Sequence, residues 1–126
     1  MTSLSISIPG SPSAALGKSA GGHWRTKRAA WNSALETGLL LWREAGHKRE
    51  LYITWQKVAV TITQFWCGKP LDPDNLIGRC GAYLDAAVRT GIIWDDGPGC
   101  VKALTARYEH VACMAERRIV IQVERR

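Results

Sequence analysis

Residues 52–90, YITWQKVAVTITQFWCGKPLDPDNLIGRCGAYLDAAVRT, change periodicity halfway, and that change decides the fold. Tyr52 to Trp66 is rich in β-branched and aromatic residues, with Val58, Val60, Ile62 and Trp66 on one face and Ala59, Thr61, Thr63 and Phe65 on the other. That pattern predicts one long strand, or two joined by a turn near Gln56-Lys57. From Pro73 to about Thr90 the spacing becomes helical, with Leu76, Ile77, Cys80, Leu84, Ala87 and Val88 on the buried side and Gly91 as the stop.

Upstream, Leu4, Ile6 and Ile8 alternate with Ser3, Ser5 and Ser7, a half-buried strand ending at Pro9-Gly10. Residues 10–22 are rich in Gly, Ser and Ala and predict a mobile loop. From Trp24 to Ala45, the positions Trp24, Trp31, Leu35, Leu39 and Trp42 fall on one helical stripe, read as core packing for Trp31 and Trp42 and evenly balanced with base stacking for Trp24; Gly46 ends the helix. Downstream, Val101 to Val111 and Arg118 to Glu124 predict two closing strands, the last turning Ile119, Ile121 and Val123 inward. The expected architecture is a single α/β (α+β) domain over 1–126, in β-α-β-α-β-β order, with a mixed sheet and two main helices.

The chain carries 17 Lys and Arg against 11 Asp and Glu, a net charge of +6, the imbalance of a protein that meets polyanions such as nucleic acid. The cations gather in Lys18 to Arg28, Arg43 to Arg49 and the tail pairs Arg117-Arg118 and Arg125-Arg126. All five aspartates, Asp72, Asp74, Asp85, Asp95 and Asp96, fall in one window whose only cations are Arg79 and Arg89, a local charge of −3. Cys67, Cys80, Cys100 and Cys113 form no C-x-x-C pair, and with only His23, His47 and His110 to complete a set they argue against a zinc module. No secretion signal and no bilayer-length apolar run is visible, so a reduced, cytoplasmic protein is expected.

Asp72-Pro73-Asp74 makes a good helix start, with Asp at the N-cap, Pro at the first helical position and a second acid near the positive end of the dipole. Asp95-Asp96, before Gly97-Pro98-Gly99, also reads as a turn. If the return through Ile92-Ile93-Trp94 brings that pair back to the helix start, three or four carboxylates meet. Two carboxylates ~6 Å apart repel by roughly 3 kcal/mol at an effective dielectric near ~20, so such a cluster wants a cation, and oxygen-only ligands select Mg²⁺ or Mn²⁺. Pro73 holds Asp72 extended and so fixes the first carboxylate relative to the second. In a basic protein the chemistry that follows is metal-assisted phosphodiester hydrolysis.

DPDN at 72–75, YLDAAVRTGIIWDD at 83–96, SISIPGSPS near the N-terminus and HWRTKRAAW at 23–31 together resemble the RusA-type Holliday junction resolvases, including their phage members. The likeness is spread over most of the chain, and its specific part is the aspartate motif. It implies a small homodimeric α/β endonuclease that uses Mg²⁺, with Mn²⁺ as substitute, to make paired cuts in four-way DNA junctions. It further implies that Asp72, Asp74 and Asp96 are the metal-binding catalytic acids, with Asp95 a weaker metal candidate and Asn75 in support. Two sites related by a two-fold axis suit a substrate that needs two matched cuts.

The family commonly carries a lysine on the helix after D-N. Here that stripe holds Gly78 and Gly81, and Arg79 projects roughly 140° from Asp74 on the same helical count, so either a loop cation such as Lys18, Lys69 or Lys102 fills the role or cleavage is weak. Lys18, His23, Arg25, Lys27, Arg28, Lys69, Arg79 and Lys102 are the candidate DNA contacts. Asp85, on the same stripe as Asp74 but about 16 Å along the axis, is expected to pair with Arg89. Two other readings stand beside the resolvase: a non-catalytic nucleic-acid-binding module whose Asp72 only caps a helix, and a nuclease acting on other branched DNA.

Overall fold

The computed structural model describes residues 2–11, 13, 16, 24–47 and 53–126. Most of the loop expected over 10–22, together with Lys18, His23 and Tyr52, lies outside them. The elements in chain order are β1 (Ser3–Pro9), α1 (Trp24–His47), β2 (Val58–Trp66), α2 (Pro73–Arg79), α3 (Gly81–Arg89), β3 (Val101–His110) and β4 (Arg118–Arg125), with a short 3₁₀ turn at Met114–Glu116.

Period-two sequences make the sheet. Leu4, Ile6 and Ile8 of β1, Val58, Val60 and Ile62 of β2, and Ile119, Ile121 and Val123 of β4 are all buried, while Ser5, Ser7 and Gln122 between them are exposed. The strands lie in the order β1-β4-β2-β3, so β4 is central and β1 and β3 are edges. β4 runs antiparallel to both neighbours, whereas β2 and β3 are parallel, which makes the sheet mixed as expected. Ile6, Ile121, Ile62 and Ala106 sit side by side across the four strands, and this row anchors the core. The strand expected from Tyr52 proves to be in two parts: Trp55 bridges Ile93, the chain bends at Gln56-Lys57, and β2 starts at Val58.

Two helical expectations need correction. The buried stripe of α1 is Ala34, Gly38 and Trp42, not one that begins at Trp24 and Trp31, which are 59% and 37% exposed. The reason is the seam with α3. A Cβ on Gly38 would stand 2.8 Å from the Ala86 Cβ, so the helices approach more closely than any larger residue allows. Trp42 closes the seam, donating its indole N–H to the Tyr83 carbonyl at 2.9 Å. Trp31 instead lies over Gly81, at ordinary contact distance from where a Cβ would be.

The single helix expected over 73–90 is broken at Cys80, which has φ −94° and ψ 1°. Its N–H turns back to the Ile77 carbonyl at 3.1 Å, and α3 restarts at Gly81. Gly78 and Gly81 weaken helix continuity on both sides of the break. The break lets α2 bury Leu76 against β2 and β3 while α3 turns Ala82, Tyr83 and Ala86 toward α1. A count of about 100° per residue therefore does not carry past Cys80, and neither Gly81 nor Asp85 shares a stripe with Asp74. Gly91, at φ +77°, ends the segment in the left-handed conformation that glycine adopts without strain. No helix among the described residues is long and apolar enough to cross a membrane.

Candidate functional site

The acidic window opens where β2 ends. Gln64 is fully buried, and its side-chain oxygen accepts the Leu71 N–H at 3.1 Å, fixing the chain one residue before Asp72. Asp72 is extended (φ −67°, ψ 161°), as the following proline requires, and its Oδ1 accepts the Asn75 N–H at 2.8 Å. The helix-cap reading is thus realised, with Pro73 in the first turn and the Asp72 carbonyl accepting the Leu76 N–H at 2.9 Å. Asp74 follows, exposed, in that turn. Asn75 accepts from the Arg79 guanidinium at 3.2 Å, so Arg79 braces the corner from behind. Tyr108, beside Gln64 in the β2–β3 register, is near enough to feel this corner: partial burial, and then the Asp72 carboxylate, push its phenol above the ordinary value of 10.0.

Asp95 and Asp96 close the window at the other end of the same strands. The Trp94 N–H donates to the Trp55 carbonyl at 2.9 Å, and the Gly97 carbonyl accepts from Cys100 and Val101 at 3.1 and 2.9 Å. Val101 stands beside Val58, so this turn is tied to the beginning of β2 and β3. Both aspartates are exposed. Asp95 folds onto its own turn, where a Cβ on Gly97 would come within 3.0 Å of its Oδ2.

The parallel pairing of β2 and β3 explains the separation. A parallel crossover must carry the chain from the end of one strand back to the start of the next, and α2 and α3 do so here. Asp72 is anchored at Gln64 and the Asp95-Asp96 turn at Val58, about 20 Å apart along β2 at ~3.3 Å per residue. Among the described residues no three His, Cys, Asp or Glu side chains converge to hold a metal. Within this chain the described donors therefore do not fit a three-acid magnesium site. Asp72 and Asp74 stay together, and Asp95 and Asp96 stay together.

The candidate DNA contacts divide similarly. Lys69 is exposed just before the DPDN corner, and Lys102 is exposed at the start of β3, at the Asp95-Asp96 end. Arg25 and Arg28 are exposed and Lys27 half-buried in the first turns of α1, with Arg25 over the Trp24 ring at 5.4 Å. Lys18 and His23 lie outside the described residues. Asp85 meets Arg89 at 3.2 Å, the surface pair expected of it.

Sequence reasoning passed over Gln64, a lone polar residue at an inward position of a period-two strand, which was the available signal. Its Nε2 is buried without a partner. It also passed over the Arg117–Trp66 and Arg118–Phe65 stacks, at 4.4 and 3.8 Å from ring centroids, where β4 enters beside the end of β2. No family model matches the chain, and no curated protein matches it.

Proposed function

We propose that this chain is a metal-dependent endonuclease for branched DNA, acting as a homodimer on four-way junctions. The observation that supports it is the position of the two acidic groups at opposite ends of one open edge strand. β3 is bonded to β2 on one side only, and its outer backbone edge offers hydrogen bonds to another strand. Two copies joined antiparallel along β3 set the Tyr108 end of one against the Lys102 end of the other. Asp72 and Asp74 then face the partner's Asp95 and the partner's Asp96, and the two-fold axis repeats the arrangement once.

The division of labour follows from the residues. Gln64, Pro73 and the Asn75–Arg79 bond hold the backbone that carries Asp72 and Asp74 at a fixed corner, and Asp72 caps the helix through Oδ1, with no partner for Oδ2 among the described residues. A divalent ion held by Asp72 and Asp74 together with acids of a second copy would supply an activated water at neutral pH and charge stabilisation at the phosphate. Lys69 and Lys102, exposed at the two ends of β3, are placed to meet DNA phosphates beside the acids.

The test is Mg²⁺-dependent cutting of a synthetic four-way junction, lost in Asp74→Asn with binding retained. Mixing Asp74→Asn with Asp96→Asn chains restores one intact site per mixed dimer, so nicked rather than paired products are expected. No recovery on mixing would remove the shared site. Binding without cutting under any divalent ion would favour the non-catalytic module, a reading supported by the use of Asp72 as a helix cap.

A further inference from the structure

A cavity of about 300 Å³ opens at the Val58 end of the sheet, between the approach to β2 and the end of β4. Ile53, Trp55, Lys57, Arg125 and Arg126 line it, and no acidic side chain does. Two main-chain bonds build it: the Arg126 N–H donates to the Lys57 carbonyl at 2.8 Å and the Arg125 N–H to the Thr2 carbonyl at 2.7 Å. Both arginines therefore leave a pinned backbone instead of a fraying tail, which reduces the ordering entropy lost when they grip a ligand.

Among the described residues Lys57, Arg125 and Arg126 form no ion pair with a carboxylate side chain. Scattered surface cations are usually just solvated, but three in one concavity without counter-ions raise the potential for an anion together. Guanidinium groups match the paired oxygens of a phosphate, and Ile53, 56% exposed, adds an apolar surface for a sugar. The cavity also adjoins the acids, because Trp55 in its wall bonds to Trp94, next to Asp95.

We infer that the Lys57–Arg125–Arg126 cavity is a subsite for a backbone phosphate of the DNA strand that passes Asp95-Asp96. This rests on the nuclease reading and adds to it the face on which the strand continues beyond the acids.

The experiment measures junction binding in Ca²⁺ over a salt series for the wild type, Arg126→Gln and the double variant Lys57→Gln/Arg126→Gln, with Arg43→Gln on α1 as control. Each lost phosphate contact flattens the slope of log affinity against log salt by about 0.9, so the double variant should lose roughly one unit of slope and about tenfold in affinity. Arg43→Gln should match the wild type, and thermal midpoints should be unchanged throughout. Should the double variant lose stability, Arg126→Gln alone decides, because its side chain is exposed and only its main chain is bonded. Intact binding and cutting with an unchanged slope would overturn the cavity and leave the nuclease standing. A wild-type chain that binds no DNA would overturn both. Inorganic phosphate that binds the wild type but not the double variant, with the DNA slope unchanged, would assign the cavity to free phosphate and overturn the inference.

Discussion

The two ends of β2 hold acids under opposite conditions. At the Gln64 end, a buried amide fixes the approach, a proline sets the backbone, and Asp72 is tied into the helix start. At the Val58 end, Asp95 and Asp96 ride on a glycine-rich turn whose backbone bonds hold the turn and leave both carboxylates exposed. The first end is arranged around its carboxylates; the second is arranged around its main chain. Removing the Asp72 carboxylate should therefore affect folding, whereas removing that of Asp95 or Asp96 should not.

Under the proposed nuclease reading the largest expected effect is on activity, and it is the same at both ends. Asp74→Asn and Asp96→Asn should each lower junction cutting by more than the roughly 10–100-fold that loss of an outer partner of a metal ligand costs. Equal losses in single-turnover assays would place both ends in one reaction, and a fully active Asp96→Asn chain would break the symmetry.

Stability should separate the ends. Gln64→Ala leaves a cavity and an unbonded Leu71 N–H, and should cost about 2–3 kcal/mol in urea unfolding. Gln64→Leu loses the same bond but also removes the unpartnered Nε2, so its cost should be within about 1 kcal/mol. A Leu variant as unstable as the Ala variant would mean that the bond to Leu71, not packing, holds this end. Asp72→Ala should cost about 1 kcal/mol through loss of the cap, while Asp72→Ser keeps the cap and loses the carboxylate. Asp95→Ala, on the exposed turn, should stay within about 0.5 kcal/mol.

Cys80, at the break between α2 and α3, gives a pH test of the region between the ends. Burial pushes its thiol from 9.0 up to about 12. Its contribution is intact below pH 9.0, and stability falls as pH rises from there toward about 12, because the unfolded chain releases the proton first. Cys80→Ala should cost about 1 kcal/mol at neutral pH and show a flatter decline above pH 9.0 in urea midpoints. The smallest effect belongs to Asp85→Asn, below about 0.5 kcal/mol for a partly exposed helix pair.

What the sequence made legible was local. Leu4, Ile6 and Ile8, and Ile119, Ile121 and Val123, alternate strictly, and period two has a single structural meaning there. The DPDN corner was legible for the same reason, since a cap, a proline and an acid are neighbours in the chain. The seam between α1 and α3 was not, because it depends on Ala34 and Gly38, which look inert beside Trp24 and Trp31. Nor was the break at Cys80, where the hydrophobic stripe continues although the helix does not. Above all, a strand's direction relative to its neighbour leaves no local mark. The parallel pairing of β2 with β3 sends Asp95-Asp96 to the far end, and only the whole sheet determines it.

The placement of β4 between β1 and β2 also bears on how this chain matures on the ribosome. Residues 3–9 have no strand to join until residues 118–124 have been synthesised, so β1 must wait until every element between it and β4 has been made. Such long-range closure is slow and leaves unfinished edges exposed, and a nascent chain stalled before Arg118 would present an unpaired β1 and an open-edged β2–β3 pair to chaperones and proteases.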